Sequence, residues 1–272
     1  MHTSQPPHLS PGLRVVRRGL HHLQVGLYAG HRVLLPRTST VERTLDLLLD
    51  RRPPDGDPAS TAVLDELDRH GCLVRVPPRL RARRSVAVLG GFDDLGAPAT
   101  DALLSASGLE RSSCTADGDP VVVLSTGELD RDSLDPLIRS RTGHVIARLV
   151  DGAAVLGPFV VPGTTACLRC IDAHQSVVDP DHVAVTARYV RATARPRRDG
   201  VPDVEASLAT LALAWVVRDV VAYLEGHTPS TWSRTLTLSA DPATNNEQTW
   251  LRHPRCGCCW SADARLSGTM EA

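Results

Sequence analysis

Two tight cysteine clusters lie far apart in the chain, and they restrict its fold more than any other feature. Cys167 and Cys170 form a C-x-x-C, and Cys256, Cys258 and Cys259 form a second cluster, spelled C-G-C-C. Tetrahedral zinc takes four thiolates, and two short hairpin-like pairs present two each. A zinc ion held this way would tie the end of the chain to a segment about 85 residues earlier. Cys167, Cys170 and Cys256 are the first three expected ligands. Cys259 is the fourth by ordinary spacing, with Cys258 as its alternative, and Gly257 suits the tight turn between them. Four or five available thiolates point to a closed, structural zinc site, because a catalytic site keeps one position open. Buried reduced thiols, or a redox pair, are the competing readings. His174 and His253 lie close to the clusters and read as surface or capping histidines, while Cys72 and Cys114 read as core residues.

The compartment follows from the same residues. Seven cysteines, an odd number with five of them clustered, do not suit the disulfide framework of a secreted protein. The N-terminus carries no apolar run of the secretory kind. The longest apolar stretch, 206–217, is about twelve residues and is closed by Arg218 and Asp219. A membrane span needs roughly 20 residues, so this segment reads as a buried core helix in a cytoplasmic protein.

All thirty basic residues of the 272 are arginine. Chemistry that needs a lysine, such as a Schiff base or a P-loop, is therefore excluded. Thirty-one acids bring the formal charge to −1, which disfavours avid, non-specific binding to nucleic acid.

The pattern of apolar residues divides the chain. Residues 1–12 contain three prolines and predict a disordered arm. Residues 13–78 read as three short strands (13–18, 23–29 and 32–35), two helices and a closing strand at 73–76. Ser39-Thr40-Val41-Glu42 is a capping-box pattern opening the first helix, and Asp57-Pro58 opens the second, with Val63, Leu64 and Leu67 on one face. This order resembles a winged helix-turn-helix. Its second helix carries Asp65, Glu66 and Asp68 against Arg69, a poor charge balance for the major groove of DNA. Pro77-Pro78 and the arginine-rich 79–84 read as a linker. From Ser85 onward, strands at 85–89, 121–125, 145–149 and 155–161 alternate with turns and a helix at 98–107. That alternation predicts an α/β domain over 85–262 with a largely parallel sheet. Asp203 is expected to cap a long helix ending at Glu225, followed by strands at 235–239 and 248–251.

Gly90-Gly91-Phe92-Asp93-Asp94-Leu95-Gly96 follows the first of those strands, where a Rossmann-type fold binds phosphates. Such a loop needs glycines so that backbone N–H groups approach the pyrophosphate. Here Phe92 takes the second glycine's place, and Asp93 and Asp94 put negative charge where phosphates would lie. The loop reads as a turn without nucleotide, and Glu110 as a weak candidate for a ribose contact.

Gly157-Pro158-Phe159-Val160-Val161-Pro162-Gly163, running into Cys167-Leu168-Arg169-Cys170, is distinctive. Together with His253-Pro254-Arg255-Cys256-Gly257-Cys258, it resembles the ThiF-like partner proteins of azole- and azoline-forming peptide biosynthesis. The resemblance spans nearly the whole chain: a winged-helix-like front, a degenerate Rossmann-like ThiF-type middle and a zinc-bound tail. It implies a non-catalytic protein that binds the leader of a ribosomally made precursor peptide and presents it to a YcaO-type cyclodehydratase. The leader would add as a strand beside Arg32, Val33, Leu34 and Leu35, flanked by the helix at 59–70 with Val63 and Leu67. A homodimer is compatible with this reading; nucleic acid and membrane are not expected partners. The alternative is a divergent ThiF-type ATP-dependent adenylyltransferase activating a peptide carboxylate. The altered glycine loop and the missing lysine speak against it.

Overall fold

A computed structural model describes residues 6–74, 84–92, 95–113, 119–193 and 204–258. The chain divides into two units, Met1–Arg81 and Ala82–Ala272.

The first unit begins with β1 (His8–Leu9), inside the stretch whose prolines predict disorder. Strands β2 (Val15–Arg18), β3 (His22–Val25) and β4 (Val33–Pro36) follow as an antiparallel sheet in the order β2-β3-β4. Helix α1 (Ser39–Leu49) is capped by Thr38, whose hydroxyl accepts the Val41 N–H at 3.3 Å. The cap thus falls one residue before the expected Ser39, and Glu42 turns instead to Arg37 at 2.7 Å. Helix α2 (Pro58–Arg69) starts where Asp57 accepts the N–H groups of Ala59 and Ser60. Strand β5 (Leu73–Val74) returns to pair antiparallel with β1. Leu23, Val25, Val33 and Leu35 on the sheet meet Leu45, Leu48, Val63 and Leu67 on the helices in one apolar core. Thr44 and Ser60 join α1 to α2 by a buried hydroxyl pair at 2.9 Å.

The second unit holds a seven-stranded mixed sheet in the order β12-β11-β10-β9-β8-β6-β7. Strand β6 (Arg84–Gly91), helix α3 (Gly96–Ala106), β7 (Leu109–Ser112) and β8 (Val121–Thr126) form the parallel half, with β6 between β7 and β8. The short helix α4 (Asp135–Arg139) precedes β9 (His144–Val150), which is parallel to β8. Asp151 and Gly152, both with positive φ, then reverse the chain into β10 (Ala153–Val160). Two consecutive positive-φ residues suit a tight hairpin, so the sheet continues antiparallel from here. Helices α5 (Leu168–Val178), α6 (His182–Thr193) and α7 (Ala206–Leu224) lead to β11 (Arg234–Leu238) and β12 (Asn246–Thr249). Strands β10, β11 and β12 pair antiparallel, so the sheet is mixed rather than largely parallel.

Side chains alternate across β9. Val145, Ala147 and Leu149 face a core built with α3 and α7, while Ile146 faces a second core with α5. The apolar helix α7 matches a membrane span by length and hydropathy, yet Ala209, Leu213, Val216 and Val220 are buried within the first of those cores. It begins after Glu205, and the expected cap Asp203 lies outside the described residues. The buried Asp219 carboxylate accepts the N–H and hydroxyl of both Ser230 and Thr231, fixing the loop that precedes β11.

Candidate metal centre

The first cysteine pair sits at the start of a helix, not on a hairpin. After β10 the chain turns through Val161-Pro162-Gly163, with Gly163 at φ 84°. The Val161 carbonyl accepts the N–H groups of Thr164 and Thr165, and the Val161 N–H donates to the Thr165 hydroxyl at 2.7 Å. Ser233 takes the Ala166 N–H at 2.9 Å. These bonds deliver Cys167 to the N-terminal end of α5 in an extended conformation. Its carbonyl accepts from Cys170 and Ile171, which places Cys170 one turn on, with both sulfurs on the same side.

The second pair is held by the stretch after β12. Trp250 is buried, and its indole N–H donates to the Thr235 hydroxyl at 2.9 Å. Arg252 donates to the Gly163 carbonyl, and the His174 ring donates to the Leu251 carbonyl at 3.0 Å. His174 also meets His253 edge to face, with ring centroids 4.9 Å apart. Both histidines therefore hold the tail in place. Gly257 at φ 75° then bends the chain so that the Cys258 N–H points at the Cys256 sulfur.

Cys167, Cys170, Cys256 and Cys258 converge, with all four sulfurs within 4.8 Å of one another. Cys170 is central, at 3.7 Å from Cys167, 3.1 Å from Cys256 and 3.6 Å from Cys258. Four thiolates around a zinc at about 2.3 Å sit roughly 3.8 Å apart, so the cluster has the size of a tetrahedral thiolate site. Cys259, the fourth ligand by spacing, lies outside the described residues. Mutual hydrogen bonding governs the charge. Cys167, and after it Cys256 and Cys258, hold the Cys170 thiol far below its ordinary range. Contact with Cys170 pushes the Cys167 thiol up, and contact with Cys167 does the same to Cys258. A cation would relieve this competition by taking all four sulfurs as thiolates. The site can hold a metal.

A cavity of about 310 Å3 borders the cluster, lined by Leu134, His144, Leu168, Arg169, Cys256 and Gly257 among others. His144 is fully buried at the start of β9. Its Nδ1 faces the Thr142 carbonyl at 3.0 Å and so carries the proton, leaving Nε2 as an acceptor without a partner among the described residues. Burial lowers its pKa from 6.5 to about 4. The unfolded chain therefore binds a proton below pH 6.5 that the folded chain takes up only near pH 4. Stability is unaffected above that window and falls as the pH drops through it, by on the order of 3 kcal/mol. His144→Leu removes this dependence. Urea unfolding of both proteins at about pH 7 and about pH 4 should show their stability difference shifting by that amount in favour of the variant. An unchanged difference contradicts a buried, neutral His144.

At the carboxyl ends of β6 and β8, where an open α/β sheet holds its ligands, the glycine turn is filled from inside. Phe92 is 3% exposed within the α7-side core. Gly90 has φ +74°, and a Cβ there would lie 2.1 Å from the Leu124 carbonyl oxygen. This glycine thus serves the strand pairing. Asp93 and Asp94 lie outside the described residues, and Glu110 is exposed on β7. Nearby cations are already engaged. Arg131 makes a two-pronged pair with Asp172 and also meets Glu128, which Arg148 contacts through both oxygens. Burial would raise the Glu128 carboxyl, but Arg148 and Arg131 outweigh it and hold the group below the carboxylate range. His182 adds a contact to Asp172 at 3.3 Å. The sequence pattern marks none of Glu128, Arg131, Arg148 and Asp172; each is a largely buried charge that must find a partner.

No protein-family model matches the sequence, and no characterised protein matches it by sequence. Solved structures do match. The heterocyclase TruD aligns over 93% of this chain and 42% of its own, at 16% identity and a TM-score of 0.63. A heterocyclase in complex with substrate and cofactor aligns over 93% of this chain and 39% of its own, with 16% identity and a TM-score of 0.64. The likeness is one of fold. The chain thus spans about two fifths of the length of these heterocyclase chains. Escherichia coli MccB aligns over 93% of this chain and 96% of its own, at 13% identity and a TM-score of 0.56.

Of the residues expected to meet a peptide, Val33, Leu35, Val63 and Leu67 are core side chains, at 2%, 4%, 4% and 0% exposure. Arg32 and Leu34 are exposed, and β4 pairs with β3 alone among the described strands. What this edge presents outward is therefore backbone, the Leu34 side chain and Arg32.

Proposed function

We propose that the chain is a non-catalytic, zinc-bearing protein that binds the leader of a ribosomally made precursor peptide and presents it to a YcaO-type cyclodehydratase. The observation that carries this reading is the fold match of nearly the whole chain to part of a heterocyclase. On this view the cyclising portion is a YcaO-type protein acting beside it in the cytoplasm. The first unit takes the leader at the β4 edge, where backbone hydrogen bonds give affinity and Leu34 gives selectivity. Cys167, Cys170, Cys256 and Cys258 hold the zinc, as an all-sulfur, buried, four-membered donor set suits zinc better than harder ions. The bound zinc has a structural part: it fastens the stretch after β12 to α5.

The MccB fold match favours a second reading, a ThiF-type adenylyltransferase, since MccB has been solved with AMPCPP and MccA. Against it stand Phe92 in the core, the absence of lysine and two nearby arginines already committed to Glu128 and Asp172. Pyrophosphate exchange dependent on a peptide carboxylate separates the two readings. The leader reading is tested by fluorescence anisotropy with the labelled leader of a precursor encoded beside a YcaO-type gene in the same genome. Binding is expected with a dissociation constant on the order of 1 μM or below. No binding, with or without the YcaO-type protein, rejects it.

A further inference from the structure

The first acidic residue of the chain is Glu42. Before it come five arginines, Arg14, Arg17, Arg18, Arg32 and Arg37, and no carboxylate side chain at all. The next stretch reverses the balance: residues 42–74 hold eight acids against four arginines. The structure turns this order into a surface. The acid-free stretch contains the whole β2-β3-β4 sheet, and the acids lie on α1, α2 and their connection. Of the five arginines only Arg37 has a carboxylate among the described residues, Glu42 at 2.7 Å. Arg18 donates to the Gln24 side chain and Arg14 to the Leu13 carbonyl, both neutral acceptors.

The face of the sheet turned away from the core adds an apolar element. Val16, Gln24 and Leu34 stand side by side across the three strands. Val16 is 51% and Leu34 48% exposed, with the Gln24 amide buried between them and tied to Gly26. Among the described residues, the surface therefore offers open strand edges, exposed apolar side chains and uncompensated positive charge.

We propose that this sheet takes an extended acidic peptide, with carboxylates spaced between apolar side chains. The inference rests on the leader-binding reading and adds the chemistry of the leader. Arg32 adjoins the β4 edge, so it would meet a peptide carboxylate directly. Strands lie about 4.8 Å apart, so Arg17 and Arg18 on β2 act across three spacings, roughly 14 Å and beyond one Debye length at 0.1 M salt, and their effect is the smaller. Nucleic acid is the poorer occupant, because phosphates give Val16 and Leu34 nothing apolar to bury against.

The test uses the full chain and fluorescein-labelled decapeptides of alternating Leu and Glu, or Leu and Lys, with a short DNA duplex as comparison. The Leu–Glu peptide should bind and the Leu–Lys peptide should not. Its affinity should fall about tenfold between roughly 50 mM and 500 mM NaCl. Arg32→Glu should weaken it about tenfold, and Arg17→Glu about threefold, with a shallower salt dependence in both. These side chains are exposed, so neither substitution disturbs the core. Failure of the Leu–Glu peptide to bind, equal binding of both peptides, preference for DNA, or indifference to Arg32→Glu each overturns the inference. A genomic leader that binds tightly but ignores salt and Arg32→Glu would remove the charge inference and leave the leader reading intact. A genomic leader that fails while the Leu–Glu peptide binds would do the reverse.

Discussion

Cys170→Ser is expected to leave the purified protein without its metal. Cys170 is fully buried and its sulfur lies within 3.7 Å of the other three, so its removal takes the central donor from the site. Serine offers a hard, protonated oxygen in place of a soft thiolate, and three thiolates crowded without a fourth bind far more weakly. A metal held there would fasten residues 250–258 to α5, so its loss should expose Trp250 and lower stability by on the order of 4 kcal/mol or more. Elemental analysis should find about one zinc per wild-type chain and almost none in Cys170→Ser. A chelator should shift the wild-type unfolding midpoint toward that of the variant and leave the variant unmoved. The fourth ligand is decided by a parallel pair: Cys258→Ser should strip the metal and Cys259→Ser should retain it. Wild-type protein without metal, or Cys170→Ser with a full complement, defeats the assignment.

That the two cysteine clusters converge was legible because a candidate metal site depends on residue type and spacing, both written in the sequence. What surrounds them was less so. Cys167-Leu168-Arg169-Cys170 reads equally well as a hairpin or a helix start, and only the Ser233 bond to Ala166 and the turn on Val161 select the helix. Helices α5 and α6 have mixed polarity, and no residue of α6 is buried, so the apolar period that marks α7 is missing from it. Strand β1 is two residues long and forms only because β5, more than sixty residues later, supplies its partner. Local propensity carries no trace of such a pairing. The antiparallel half of the sheet depends on two residues, Asp151 and Gly152, that turn the chain at the end of β9. At β4, alternation over four residues could not say which face is buried; the structure sends Val33 and Leu35 inward and leaves Leu34 outside. The engaged arginines at the carboxyl ends of β8 and β9 are a fact of three-dimensional pairing, invisible in a count that sees only arginine.

Gly157→Ala should be among the most damaging single substitutions in the chain, and it explains the glycine that opens the distinctive G-P-x-x-V-P-G segment. Gly157 has φ +82°, a region that costs an alanine about 1 kcal/mol. The surroundings add more. An added Cβ would lie 2.2 Å from the Arg234 carbonyl oxygen and 2.8 Å from the Thr231 Cβ, so backbone rather than a flexible side chain must yield. Gly157 sits where the β9–β10 register shifts between Leu156 and Phe159. Immediately beyond it, the Phe159 N–H donates to the Thr231 carbonyl at 2.8 Å. The Phe159 ring is fully buried, with its centroid 4.8 Å from that of Tyr223 and 6.2 Å from that of Trp232. Moving β10 away from Arg234 therefore loosens the core under α7 and the Val161 turn that delivers Cys167. The combined cost is on the order of 4 kcal/mol, and metal content should fall with stability. Gly152→Ala is the matched control, since Gly152 has φ +74° but nothing within 4 Å of an added Cβ. It should cost only about 1 kcal/mol and keep the metal. Equal unfolding midpoints for the two variants would mean that the close approach of β10 to Arg234 adds no cost beyond that of the backbone angle.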